Sequence, residues 1–138
     1  HVPPEIYSSV LWRGVLAHFA VVSDGRLLGI TAPYDADYRN GHCKIAAARF
    51  GAEPSTRMVT GAALTARYAF QGWNFRKIYA ELPSYNLAQV ESGIGSVFTH
   101  EATLSNHVYL DGRYWDLAVL SVTRESFPAM LDRWIDSR

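Results

Sequence analysis

What the sequence lacks sets the first bounds. Cys43 is the only cysteine, so neither an internal disulfide framework nor a thiolate zinc cage can be assembled from this chain alone. A reducing compartment, the cytoplasm, is the expectation. The longest apolar runs, residues 10–12 and 15–22, are interrupted by Arg13, Gly14 and His18 and fall far short of the roughly 18 residues of a membrane span. Neither a transmembrane segment nor a signal peptide is expected. Excess charge of one sign is missing too: 13 Lys plus Arg balance 13 Asp plus Glu, which removes the basic surface that nucleic acid or an anionic membrane would require. Any anionic ligand must be held by local groups. No spacing suits a zinc or dinuclear carboxylate site, so no metal is expected, and no Ser stands on the Gly-flanked elbow of a nucleophilic triad.

What is present is the material of a core. With 49% hydrophobic and 19% charged residues in 138, one folded domain over residues 1–138 is expected rather than a disordered chain. Asp24-Gly25, Asn40-Gly41 and Asp111-Gly112 each stand between β-rich runs and favour the positive φ angles of tight turns. They predict an antiparallel meander over 18–23, 26–34 and 42–50, and a closing hairpin over 103–110 and 113–122. Between them the period changes. Met58, Ala62, Ala66 and Ala69, with Val59, Ala63 and Phe70, recur three or four apart, predicting a helix over 58–72 that ends at Gly72. A strand over 76–82 stops at Pro83. A second helix is expected over 86–98, a proline-led helix over 3–17 and an amphipathic one over 125–136.

A helix joining strand 42–50 to strand 76–82 is a crossover, so those two strands should run parallel inside an otherwise antiparallel sheet. A helix amino terminus beside such a pair offers backbone donors to an anionic ligand.

This order resembles the GNAT superfamily of acyl-coenzyme A dependent N-acyltransferases, and within it the ribosomal-protein alanine N-acetyltransferase branch. The residues that carry the likeness are Tyr68-Ala69-Phe70, Arg76-Lys77-Ile78-Tyr79, Asn86, Phe98 with Glu101, and Asp111-Gly112-Arg113-Tyr114-Trp115-Asp116. The resemblance implies a mixed α/β (α+β), mostly antiparallel sheet with one parallel, splayed strand pair and flanking helices. It implies a further strand and helix ahead of the segment starting at Pro3, to be supplied by a larger polypeptide or assembly. It also implies direct transfer of an acyl group, acetyl in the first instance, from acetyl-CoA or another acyl-CoA to an amine acceptor. The acceptor is a small molecule, a protein N-terminus or a lysine. By the same resemblance Arg57, Met58, Val59, Thr60 and Gly61 take the pyrophosphate, Ala48, Arg49 and Phe50 form the pantetheine edge, and Asn86 contacts the cofactor near its thiol.

Two features depart from the family pattern. The phosphate loop, Ser55 to Ala63, lacks the usual paired glycines, and no Tyr follows Asn86 at about seven residues, which leaves Ser92 as the nearest hydroxyl for the departing thiolate. His42 and Asp35, or Asp37, are the candidates for the base that takes the amine proton. The neutral overall charge argues against strong recruitment of a basic ribosomal or histone tail, though a local acidic patch of Asp35, Asp37, Glu81 and Glu101 could still receive one.

Quieter readings stand beside these. His42 next to Cys43 reads first as an ordinary strand pair, His100 and His107 as solvent-facing, and Tyr68, Phe70, Trp73, Phe75, Tyr114 and Trp115 as packing residues. Arg57 is the exception, because a cation at a helix amino terminus opposes the dipole unless an anion is bound. The alternative function is a degenerate, non-catalytic module of the same fold for protein interaction or CoA sensing. Surface left by missing amino-terminal elements makes a homo-oligomer an expectation.

Overall fold

The structure, a computed structural model, describes residues 14–50, 56–89 and 98–136. Two of the Asp-Gly signals form the expected tips: Asp24 and Gly25 have φ of 53° and 73°, and Asp111 and Gly112 have 52° and 79°. Two consecutive positive φ angles match the right-handed twist of the flanking strands. The first tip closes β1 (Phe19–Ser23) on β2 (Arg26–Asp37), and the second closes β5 (Thr99–Leu110) on β6 (Arg113–Thr123). Asn40-Gly41 turns by another device. The Asp37 carboxylate accepts the Asn40 backbone N–H at 2.9 Å and its side-chain amide at 2.8 Å, which leads the chain into β3 (His42–Arg49).

Helix α1 (Thr56–Gly72) then crosses to β4 (Lys77–Pro83). It lies close to the sheet because the side chains it presents are small: Ala63, Ala66 and Ala69 are fully buried, and a Cβ at Gly61 would stand 2.7 Å from a Val21 methyl. Thr65 donates to the Gly61 carbonyl and accepts from Thr31 across 2.5 Å, so both buried hydroxyls are satisfied. The sheet has six strands in the order β1-β2-β3-β4-β6-β5, with β3 and β4 parallel and every other neighbouring pair antiparallel.

Helices α1 and α2 (Phe127–Asp136) build one core with Cys43, Ile45, Ile78, Leu120 and Val122, and Phe70 meets Phe127 at 5.2 Å. Strand alternation therefore sends His42, Lys44, Lys77, Tyr79 and Glu81 to the opposite face. Arg124, just past β6, fastens the exit of α1. Its guanidinium donates to the carbonyls of Trp73 and Phe75, each at 2.5 Å, and lies 5.3 Å from the centre of the Phe70 ring. Among the described residues no helix is long and apolar enough to cross a membrane.

Three expectations are corrected. The helix expected over 3–17 does not reach Ala17: Val15 bridges antiparallel to Tyr34, with Leu16 N–H donating to the Pro33 carbonyl, because the β2 edge beside it offers ladder partners. Residues 1–13 lie outside the described residues. The helix expected over 86–98 is a 3₁₀ segment, Ser84–Gln89, where it is described, and Phe98 leads directly into β5. Gly93 and Gly95 fall outside the described residues. The closing hairpin is longer than expected, since β5 starts at Thr99 and accommodates two irregularities, between His100 and Ala102 and between Leu104 and Val108.

Candidate active site

The parallel pair opens into a fork. β3 and β4 pair at His42↔Lys77, Cys43↔Ile78 and Lys44↔Tyr79 and no further, although β3 runs on to Arg49 and β4 to Pro83. On their far sides both strands stay fixed, β3 to β2 as far as Arg49↔Gly29 and β4 to β6 as far as Pro83↔Leu117. The facing edge of β3 beyond Lys44 thus presents backbone groups without a ladder partner. Ala46, Ala47 and Ala48 are exposed even though β3 lies inside the sheet.

A cavity of about 350 Å³ occupies the fork. Met58 and Val59 of α1, with Leu82 and Phe98, give it apolar walls, and Arg49, Glu81 and Asn86 are its polar groups. Gly29 permits this arrangement, because a Cβ there would run into the Ala48 carbonyl, the Met58 methyl and the Arg49 backbone. Arg49 contributes the one described buried side-chain polar atom without a hydrogen-bond partner, Nη1. A buried guanidinium donor left unmatched costs about 1–3 kcal/mol or more, and an acceptor entering the cavity would remove that cost.

Across the other face of the sheet runs a line of ion pairs. Lys44, the last residue of β3 paired to β4, places Nζ 2.8 Å from Glu81 Oε1 and 3.2 Å from Asp35 Oδ2. The hydrogen bond to Glu81 raises the Lys44 pKa above its usual value, so Lys44 stays an ammonium at neutral pH. Asp35 reaches it from a left-handed backbone conformation, φ 53°, at an irregularity in β2. Burial first, and then the Glu81 carboxylate, raises the Tyr34 phenol above its ordinary value. Asp37 lies 3.8 Å from His42 Nε2, and its hydrogen bonds from Asn40 hold its carboxyl below the ordinary value.

Lys77 and Glu101 pair at 2.5 Å, and that bond together with one from Ser121 lowers the Glu101 carboxyl. A lowered native pKa contributes stability that is complete above the ordinary 4.5 and is lost as pH falls through the native value. Glu101→Gln is therefore expected to be less stable than the parent by about 0.5 kcal/mol at pH 7. The difference should vanish in acid, as read from urea melts along a pH series.

The structure sorts the sequence candidates. Ala48, Arg49, Met58, Val59 and Asn86 come together around the fork cavity. Arg57, Thr60 and Gly61 instead line a separate groove of about 440 Å³ between β1 and α1, and Phe50 is exposed beyond the end of β3. His42 sits at the closed end of the parallel pair, against the Tyr79 ring at 5.4 Å. Asp35 reaches the site only through Lys44. Ser92 lies outside the described residues. Burial pushes the Cys43 thiol up to about 12, so it stays protonated and is no nucleophile. Glu81, read from sequence only as part of an acidic patch, is the carboxylate that lines the cavity.

No protein-family model matches the sequence, and a comparison with curated protein sequences gives no match. Solved structures do match in shape. Spermidine N-acetyltransferase from Vibrio cholerae in complex with CoA and spermine superposes with a TM-score of 0.72 at 18% identity, over 90% of this chain and 75% of that one. A single-residue mutant of the Vibrio cholerae enzyme gives 0.73 at 18%, over 89% and 74%. A candidate acetyltransferase from T. thermophilus gives 0.72 at 18%, over 87% and 65%. The chain therefore shares the fold of these acetyltransferase structures, with the splayed parallel pair that its sequence resemblance implies.

Proposed function

We propose that this chain is an N-acyltransferase that moves an acyl group, acetyl in the first instance, from acyl-CoA to an amine by direct attack within a ternary complex. The observation that carries the reading is the fork: an interior strand with an unpaired edge beside a cavity that holds an unmatched guanidinium donor. An extended, amide-bearing pantetheine arm has the shape and hydrogen-bonding pattern to add along the edge of residues 46–49, with Arg49 donating to one of its acceptors. The first turn of α1, including Arg57, Met58 and Val59, supplies backbone donors and the positive end of a helix dipole for the pyrophosphate, and Thr60 and Gly61 continue that turn. Asn86 lies at the same cavity.

Glu81 is the group placed to take the proton from the acceptor ammonium. The freed amine then attacks the thioester carbonyl to form a tetrahedral adduct; as its carbon–sulfur bond breaks, the surplus proton on the attacking nitrogen passes to the departing thiolate, leaving amide and CoA thiol. Lys44 and Asp35 hold Glu81 in position on the face opposite the helices, which is where the acceptor enters in this reading. A small cationic amine suits that face, because the carboxylates of Asp35, Glu81 and Glu101 outnumber the ammonium groups of Lys44 and Lys77 that pair with them. A ribosomal-protein N-terminus is the second acceptor class to be tried. The setting in this reading is the cytoplasm, where acyl-CoA is available and a lone thiol stays reduced.

The test is calorimetric titration with acetyl-CoA, followed by thiol release with a panel of polyamines, small monoamines and peptide N-termini. Saturable one-to-one binding with release on at least one amine is expected. Absence of binding contradicts the reading, and binding without release on any amine favours a CoA-sensing module instead.

A further inference from the structure

Lysine is scarce in this chain: Lys44 and Lys77 are the only lysines among 138 residues. Both stand on the face opposite the helices, at the closed end of the fork, where β3 and β4 still pair at His42↔Lys77 and Lys44↔Tyr79. Their settings differ. Lys77 Nζ is engaged by Glu101 at 2.5 Å and lies 4.9 Å from the centre of the Tyr79 ring, and none of these three residues lines the fork cavity. Lys44 Nζ instead sits 2.8 Å from Oε1 of Glu81, the carboxylate that lines the cavity, with Asp35 Oδ2 at 3.2 Å on its other side.

The place of that ammonium gains a chemical meaning that rests on the acyltransferase reading above. A base takes a proton only from a group within hydrogen-bonding reach, so an acceptor that gives its proton to Glu81 must bring its nitrogen to a Glu81 oxygen. Lys44 Nζ already holds such a place. It belongs to a primary alkylamine, the same chemical class as the acceptor, carried on a flexible four-carbon stem. Lys44 also directly precedes Ile45, where β3 leaves β4, so an acyl-CoA laid on the free edge of residues 46–49 with its thioester near Glu81 comes within a side chain's length of Nζ. A tethered amine needs no second binding event to react.

We propose that Lys44 is a self-acylation site: with acyl-CoA bound and no external amine present, the chain transfers the acyl group to its own Lys44 Nζ. Glu81 takes one proton from the Lys44 ammonium, the free amine attacks the thioester carbonyl, and the tetrahedral adduct collapses as its carbon–sulfur bond breaks. The surplus proton on the nitrogen passes to the departing thiolate, leaving acyl-lysine and CoA thiol. The hydrogen bonds from Lys44 to Glu81 and Asp35 keep it an ammonium, so the step is slow. It is also self-limiting, because it happens once per chain and removes the cation that Asp35 and Glu81 share.

The experiment incubates the full chain with acetyl-CoA carrying a deuterated acetyl group, in amine-free buffer, and follows intact mass and peptide maps over a protein dilution series. Label on Lys44 with Lys77 unlabelled is expected, at a fractional rate that does not change on dilution. Glu81→Gln should slow the labelling by about tenfold or more, and Lys44→Arg, which keeps a cation there, should show no lysine label. Thiol release with the amine panel, measured on the same preparation, separates this inference from the reading it rests on. Release on an amine with Lys44 unlabelled overturns self-acylation and leaves the acyltransferase reading standing, whereas neither release nor label removes both. Equal labelling of Lys44 and Lys77, as in a heat-denatured control, marks plain chemical acylation and overturns the proposal. So does labelling that slows on dilution, which marks transfer between chains.

Discussion

Glu81→Gln is expected to lower turnover by about 10²- to 10⁴-fold, the contribution of a positioned general base, while acetyl-CoA binding changes by less than about threefold. The split follows from where Glu81 sits. It stands on the part of β4 that has left β3, at the cavity, and it faces Lys44 rather than the apolar wall. Glutamine keeps the shape and can still accept a hydrogen bond, but it cannot take a proton from an ammonium. Single-turnover thiol release, with calorimetry on the same preparation, checks both halves. A loss of less than about threefold in release would remove Glu81 from the chemistry and return attention to His42 and Asp35.

Arg49→Met should act in opposite directions on two measurements. In the free protein the substitution removes a buried, unmatched guanidinium nitrogen and substitutes an apolar chain of similar length. Thermal stability should therefore hold or rise, by up to about 1–2 kcal/mol. With acetyl-CoA present the same change removes a charge-assisted donor, and the dissociation constant should rise by roughly 10- to 100-fold. A structural arginine would do the reverse, falling in stability with no specific effect on binding. A differential melt with and without acetyl-CoA reads both terms from one sample, because stabilisation by a ligand follows its affinity for the native state.

Much of the fold was legible because its signals are local. Asp24-Gly25 and Asp111-Gly112 name their turns through the φ angles they tolerate, and the alanine stripe of α1 declares a helix lying close against a sheet. The parallel pair followed from the crossover alone. The depth of the fork was not legible, because how far two strands stay paired depends on contacts between residues distant in sequence, such as those of Lys44 with Asp35 and Glu81, rather than on any local pattern.

Glu81 was hidden for the same reason: within Tyr79-Ala80-Glu81-Leu82 it looks like any solvent-facing strand residue, and only the departure of β3 turns that position into a cavity wall. The phosphate loop misleads in part, since consecutive residues on a helix point different ways. Met58 and Val59 face the fork, while Arg57, Thr60 and Gly61 face the groove beside β1. Of the helix expected over 86–98, the part within the described residues is a 3₁₀ segment, Ser84–Gln89, following Pro83, and Phe98 leads into β5 with the strand propensity of Thr99 behind it; residues 90–97 lie outside the described residues.

A crystal structure of the chain with acetyl-CoA bound decides whether the fork holds the cofactor. The pantetheine arm is expected between β3 and β4, bonded to the backbone of residues 46–49, with an acceptor atom of the ligand on Arg49 Nη1 and the thioester near Glu81. Acetyl-CoA seated instead in the groove between β1 and α1, or β3 and β4 found paired along their full length with the fork closed, would contradict this expectation.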